Sequence, residues 1–343
     1  MRLDTPLAGL LGVHYPIVQA PMANAQSAAL AGMVSNAGAL GTIAGATLSA
    51  DALRDAIRST RAMTREPFAV NLFAPLPRPD APAESVAALR TLLAPHRERA
   101  GLGDAPEQRS APWSFADQLA VVLEERPPVF SSTFGAIDPA PLHAAGIVVI
   151  GTATTVAEAQ ALEASGVDVI VVQGAEAGGH RGTFLGSFED ALVPLAELVP
   201  AVVSAVSTPV LAAGGIVDGA GIAAALDAGA QGVHLGTAFL FTPECETPRV
   251  WLDALRDRES IVTPAYSGRH ARVARTPFLA ELADAGEPLP FPLQRAVIGD
   301  LSSVDGYGFY LGGTGAPRAR ELPVAELVRT LVAETEAAPV RKS

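Results

Sequence analysis

Eight short apolar runs, rich in valine and isoleucine and separated by longer alanine-rich stretches, pass through the first 240 residues of this chain. They are Ile17–Met22, Ala39–Ile43, Phe68–Phe73, Val129–Thr133, Ile147–Thr152, Val167–Gln173, Pro209–Gly214 and Gly232–Phe239. Several lead into segments with helical spacing, such as Ala25–Ser35, Ala50–Met63 and Val156–Ala164, and Thr155 and Asp218 stand where N-caps belong. Strands that alternate with helices pair in parallel, because each crossover returns the chain to the same end of the sheet. Strands apolar on both faces must also be covered on both faces. Eight such units predict an α/β fold, a (β/α)8 TIM barrel.

The rhythm breaks twice. Residues 74–110 form an insert rich in Pro, Ala and Arg after the third run, and residues 241–317 separate the eighth run from a last helical segment, Pro323–Ala337. The expected division is a barrel of residues 1–73, 111–240 and 318–343, closed by the last helix. Residues 74–110 and 241–317 would form a smaller, mostly helical lid domain over its mouth. An exposed insert with no lid role is the alternative.

Composition removes several classes of function. The chain is 49% apolar and 17% charged, which allows a large core. Its net charge of −12 and the lack of a Lys/Arg cluster exclude a nucleic-acid binder. The only lysine is Lys342, so neither a Schiff base nor a P-loop is available. Cys245 is the only cysteine, and with no HExxH either, no metal site is expected. Thr5 to Ala50 holds no Asp, Glu, Lys or Arg, yet Pro16, Pro21, Gln19, Asn24, Gln26 and Asn36 argue for a buried strand–helix–strand over a membrane span. No secretory leader is laid out at the N-terminus, and a cytoplasmic protein is expected. Its assembly is left open, a homo-oligomer included.

A barrel carries its chemistry at the C-terminal ends of its strands. The first run ends Gln19-Ala20-Pro21-Met22-Ala23-Asn24, small residues that let a flat ring approach, or a plain turn. Asn71 closes on an apolar barrel top, where a buried amide needs a partner, either a ligand or a structural cap. The sixth run continues as Gln173-Gly174-Ala175-Glu176-Ala177-Gly178-Gly179-His180-Arg181-Gly182. Gln173 offers a donor and an acceptor to a heteroaromatic edge, and His180 has the ordinary pKa of a general base. Glycine turns follow the seventh run at Gly214-Gly215 and the eighth at His234-Leu235-Gly236-Thr237. Such a pair predicts a phosphate-bearing ligand held by backbone amides, without a lysine. In the tail, Arg269, His270 and Arg272 either meet an anionic substrate group or form a solvated face or an internal ion pair.

Pro16–Met22, Val70–Phe73, Gln173–Gly182, Ala212–Ile216 and Gly236–Leu240 resemble, in order and spacing, the nitronate monooxygenases, formerly called 2-nitropropane dioxygenases. The likeness runs from about residue 10 to 240, and the histidine loop is similar to that of the first of the family's two classes. The resemblance implies FMN as cofactor, held by Met22, Asn71, Gln173, Gly178, Gly215, His234, Leu235, Gly236 and Thr237, with His180 as the catalytic base. It implies a small-molecule substrate and O2 as partners: an alkyl nitronate, or a nitroalkane, oxidised to a carbonyl compound and nitrite. His234 stands where many relatives carry Gln, and Thr276-Pro277-Phe278 stands where an Asn belongs. Two alternatives stay open. One is an NAD(P)H-dependent flavin reductase on the same scaffold, of the enoyl-acyl-carrier-protein or quinone type. The other is a flavin-free barrel that binds a phosphorylated metabolite.

Overall fold

The structure is a computed structural model that describes residues 2–23, 28–77, 79–104 and 114–339. Asn24, Ala25, Gln26, residues 105–110 of the expected insert and Lys342 lie outside the described residues. The strands, in chain order, are β1 Ile17–Gln19, β2 Gly41–Ala44, β3 Phe68–Phe73, β4 Val129–Thr133, β5 Val148–Ala153, β6 Val169–Gln173, β7 Gly179–His180, β8 Val210–Ala213, β9 Gly232–Leu235, β10 Ser260–Thr263 and β11 Ala271–Ala274. Eight of them form one parallel sheet in the order β1-β9-β8-β6-β5-β4-β3-β2. The ends of that sheet meet: Gln19 N donates to Leu40 O at 2.8 Å, and Leu40 N to Ile17 O at 2.9 Å. The fold is the expected TIM barrel.

Alternation along the strands separates two cores, because successive side chains point to opposite faces. Ile17, Val70, Phe130, Val149, Ile170, Val172, Ala212 and Val233 pack outward against the helices. Val18, Leu40, Ala69, Val129, Ile150, Val171 and Leu211 pack inward, together with Leu7 and Leu11 from helix Pro6–Leu11. The barrel is therefore solid below its mouth. The helices start where side chains cap them: Thr155 accepts from Glu158 N at 3.2 Å, and Asp218 from Gly221 N at 2.8 Å. The last helix, Val324–Ala337, packs against helices Gly219–Asp227 and Ala28–Asn36 and completes the outer ring.

Two expectations change. The eighth run does not stay extended to Phe239: the strand ends at Leu235 and the chain turns into helix Thr237–Leu240. An apolar run of that length reads equally as strand or helix, and the break at Gly236 decides it. The segments outside the barrel, mostly helical, also carry strands: β10 and β11 form an antiparallel sheet with β7 of the barrel segment. Leu89 and Leu93 of helix Ala83–Arg99 share a second apolar cluster with Tyr266, Val273, Phe278, Ile298 and Phe309. His96 to Glu281 at 2.9 Å and Arg97 to Asp300 at 2.6 Å tie the same two segments together.

Gly219 opens its helix against Glu334 and Thr335 of the closing helix, where a Cβ would overlap both. In an open helix Gly→Ala adds stability. Gly219→Ala is expected to lower the thermal midpoint instead, by overpacking worth about 1–3 kcal/mol. A raised midpoint in a thermal melt would show that the two helices are not in register.

Candidate active site

The inward-facing rows of the strands reach the barrel mouth as polar groups: Asn71 on β3, Thr152 on β5, Gln173 on β6, and His234 on β9 between two outward-facing apolar residues. They border an open cavity. Eight of the nine residues expected to hold a cofactor line it: Met22, Asn71, Gln173, Gly178, Gly215, His234, Gly236 and Thr237. His180 lines it too. Leu235 does not; its side chain faces the helices, and its carbonyl accepts from Ala20 N at 2.8 Å. Among the described residues the wall carries no carboxylate, ammonium or guanidinium, and its only titratable side chains are the two histidines.

The loop that carries His180 is tied down group by group. Gln173 Nε2 donates to His180 O at 3.1 Å, and Gln173 Oε1 accepts from Gly182 N at 2.8 Å. Its amide thus braces the loop as well as facing the cavity. Arg181 is fully buried and donates to the carbonyls of Gly174 at 2.6 Å, Gln173 at 2.8 Å and Ala191 at 2.9 Å. Buried Glu158 accepts from Thr154 N at 2.6 Å, Leu185 N at 2.8 Å and Phe184 N. Gly179–His180 then pairs with Ala271–Arg272 of β11. Gly178 is needed because a Cβ there would strike the backbone of Gly312 and Gly313.

His180 Nε2 lies 2.9 Å from Ser267 Oγ, and that hydroxyl donates to Arg269 O at 3.0 Å. A hydroxyl has one proton to give. Ser267 therefore accepts from His180, which places the imidazole proton on Nε2 and leaves the Nδ1 lone pair available. Phe291, Phe309 and Phe134 stand edge-on around the imidazole, with ring centroids at 5.3, 5.6 and 6.1 Å. Burial, and then the charges of Arg295 and Arg269, push its pKa down to about 3. Burial alone pushes His234 down to about 4. The accessible faces of both rings look into the cavity rather than into bulk solvent. Both are neutral at working pH.

The nitronate monooxygenase family model matches residues 4–334. A nitronate monooxygenase of Paraburkholderia phytofirmans is 42% identical over 96% of this chain and 94% of its own length. The solved nitroalkane oxidase of Streptomyces ansochromogenes superposes with a TM-score of 0.88 at 37% identity, covering 96% of this chain and 97% of that one. FabK of Thermotoga maritima superposes at 0.75 with 30% identity, covering 97% and 96%. The chain belongs to the nitronate monooxygenase family. It is an oxidoreductase.

The arginine segment behaves differently from either open reading. Arg272 Nε and Nη2 donate to Ala175 O at 2.9 and 2.7 Å, and Arg269 donates to the carbonyls of Arg181 and Thr183. His270 stacks on Phe188. None of the three lines the cavity; they hold the His180 loop. Three contributors escaped the sequence reading. Phe134 follows β4 with φ +80°, a conformation uncommon outside glycine. Ser267 stood unweighed beside the arginines. The Gly312-Gly313-Thr314 run returns to the mouth, where Gly313 N donates to Thr237 Oγ1 at 2.9 Å and Thr314 Oγ1 sits against Gly215. Its repeated glycines were the available signal.

The two histidines give the stability a pH dependence of definite sign. In the unfolded chain each takes up a proton near pH 6.5; in the folded one neither does until about pH 4 or 3. Between those limits the unfolded state holds more protons, so stability falls as pH drops below about 6.5, by up to ~1.4 kcal/mol per pH unit for each group. Urea midpoints recorded from pH 7.5 to 4.5 should show a flatter acid limb in the variant carrying His180→Gln and His234→Gln. An unaltered slope would mean that the rings are already protonated when folded.

Proposed function

We propose that the protein oxidises alkyl nitronates with O2 to a carbonyl compound and nitrite, using FMN held across the barrel mouth, and that it accepts nitroalkanes more slowly. The observation that carries this reading is the neutral His180, fixed with Nδ1 available, on the wall of a cavity without charged side chains.

The residues present fit the cofactor. His234 puts a half-buried imidazole into the wall with no hydrogen-bond partner among the described residues, and buried Asn71 uses only its Nδ2, on Ser131 and Thr133, leaving Oδ1 for a ligand. Buried polar groups normally find a partner, and a heteroaromatic edge supplies one. Gly215 with Gly236 and Thr237 would take the phosphate through backbone amides, and Met22, Gln173 and Gly178 would flank the ring. Bound there, FMN supplies single-electron exchange between an organic anion and O2. The segments 74–110 and 241–317 would act as the lid on the substrate side; the second of them brings Phe291, Phe309 and Ser267 to His180.

For a nitroalkane, His180 Nδ1 takes the proton from the carbon next to the nitro group. The imidazolium and the nitronate then form an ion pair. The fields of Arg295 and Arg269 oppose the imidazolium but favour the anion. A nitronate that arrives already ionised avoids the opposed step, so the site suits nitronates better. Ser267 acts as a positioning residue, holding the imidazole tautomer.

Purified protein loaded with FMN, given nitronates and nitroalkanes with oxygen uptake and nitrite release followed together, is expected to turn over both, the nitronates faster. His180→Asn should lower nitroalkane turnover by about 10²-fold or more, the usual worth of a general base, and leave nitronate turnover within about tenfold. Full nitroalkane activity in that variant overturns the base assignment. Rapid flavin reduction by NAD(P)H without oxygen, with no nitrite from any nitronate, would place the protein among the reductases.

A further inference from the structure

The strand register builds the cavity floor as a layer. Gln173 on β6 pairs with Ala213 on β8, Ala212 pairs with Val233, and His234 pairs with Val18 on β1, so Gln173, Ala213, His234 and Val18 stand at one level. The first three line the cavity. Gln173 spends both ends of its amide on the His180 loop, and Asn71 spends its Nδ2 on Ser131 and Thr133. His234 keeps both ring nitrogens without a partner among the described residues, and it is the one member of that layer able to gain a charge. A strand advances about 3.3 Å per residue, so the Gly236–Thr237 turn begins about 7 Å further along the same strand. The charged groups around that turn and around Gly215 are committed elsewhere. Glu176 accepts from Leu195 N at 2.9 Å, and Arg318 donates to Gly215 O at 3.4 Å and lies 3.7 Å from Asp218. His180, the other titratable side chain of the wall, is held by Ser267. No charged side chain acts on His234; burial alone lowers its basicity, to a pKa of about 4.

We infer that binding of FMN draws one proton from solvent onto His234, making its imidazolium the counter-charge to the cofactor's phosphate. The inference rests on the proposed cofactor and its cradle, not on the proposed reaction. A phosphate group brings close to two negative charges at neutral pH. The wall meets them with backbone dipoles and no cation among the described residues. An opposite charge within about 4–6 Å favours the charged form of a titratable group by about 1–3 pKa units. His234 is the base beside the Gly236–Thr237 turn, and one of its ring nitrogens carries an unused lone pair. The balance is simple: FMN, neutral His234 and one proton give the bound pair, and no bond of the cofactor forms or breaks. A charge that arrives only with the ligand also spares the protein an unpaired cation in the wall before the ligand comes. His180 does not share the role, because the fields of Arg295 and Arg269 oppose a positive charge there.

The test needs no turnover. FMN-loaded protein is diluted at pH 8.0 and at pH 6.5, and the bound fraction is read from the fluorescence of released flavin. Affinity is expected to rise about threefold or more at the lower pH, within the tenfold per pH unit that one linked proton allows. His234→Gln keeps a donor and an acceptor at the same place but takes no charge. It should still hold FMN at pH 8.0 and show no rise, since protonation of the phosphate itself, near pH 6, works the other way. Calorimetric titration of flavin-free protein with FMN at pH 6.5, in two buffers of different ionisation enthalpy, counts the protons taken up. The unaltered protein should take up more than the variant by about half a proton or more per FMN. An equal pH response in the two proteins, no response in either, or equal proton counts overturns the inference. So does loss of FMN from His234→Gln at pH 8.0, which makes the neutral ring the ligand, or an unaltered protein that binds no FMN. Nitrite release from nitronates is measured separately. Its absence, with the proton uptake intact, refutes the proposed reaction and not the role of His234.

Discussion

Arg181 carries the site. Its guanidinium lies fully buried and donates to the carbonyls of Gln173, Gly174 and Ala191, so the chain leaves β6 and turns back over the mouth around one cation. A loop crossing a barrel mouth has backbone carbonyls that no strand will pair, and a buried carbonyl without a partner is costly. Arg269 and Arg272 repeat the device one layer out, on the carbonyls of Arg181, Thr183 and Ala175. Burial lowers the pKa of Arg181 only to about 10, so it remains charged throughout the working range. The position of His180, one residue before Arg181, depends on this arrangement.

That dependence explains what the sequence made legible. Period-two alternation and helix caps are local, and they gave the barrel, the strands β3 and β4 to the residue, and the caps Thr155 and Asp218. The glycine turns were legible for the same reason. The pairing of Gly179–His180 with β11 was not, because a two-residue strand has no periodicity and its partner lies some ninety residues on. The arginines failed for a related reason. A guanidinium is read from sequence by its charge, which suggests an anion, whereas here it acts as a fork of N–H donors for carbonyls. Gln173 was placed correctly at the cavity, but its brace on His180 and Gly182 is a contact between neighbours in space that spacing alone does not reveal.

The chain's charge inventory bears on the same point. With Lys342 as its only lysine, it has no flexible ammonium to place at a phosphate or a carboxylate. Amides at Gly215, Gly236 and Thr237 are fixed dipoles, and under the proposed function they would meet an anion without the desolvation cost of burying a full charge beside it. The arginines nearest the cavity are held behind its wall, where the rigid planar group satisfies several acceptors at once.

A neutral wall under a positive field is a specific electrostatic choice. Had Arg269 or Arg295 entered the cavity, either would have bound any small anion, chloride and phosphate included, at the position of the substrate. Set behind Phe134 or beside Tyr266, they act through space on whatever charge forms at His180 and offer no N–H to a passing ion. Their field lowers the basicity of the imidazole and stabilises an adjacent carbanion equivalent by the same physics. The low basicity of the imidazole and a field that favours an anion beside it are therefore one property of the fold: a substitution that removed either guanidinium would raise the first and weaken the second.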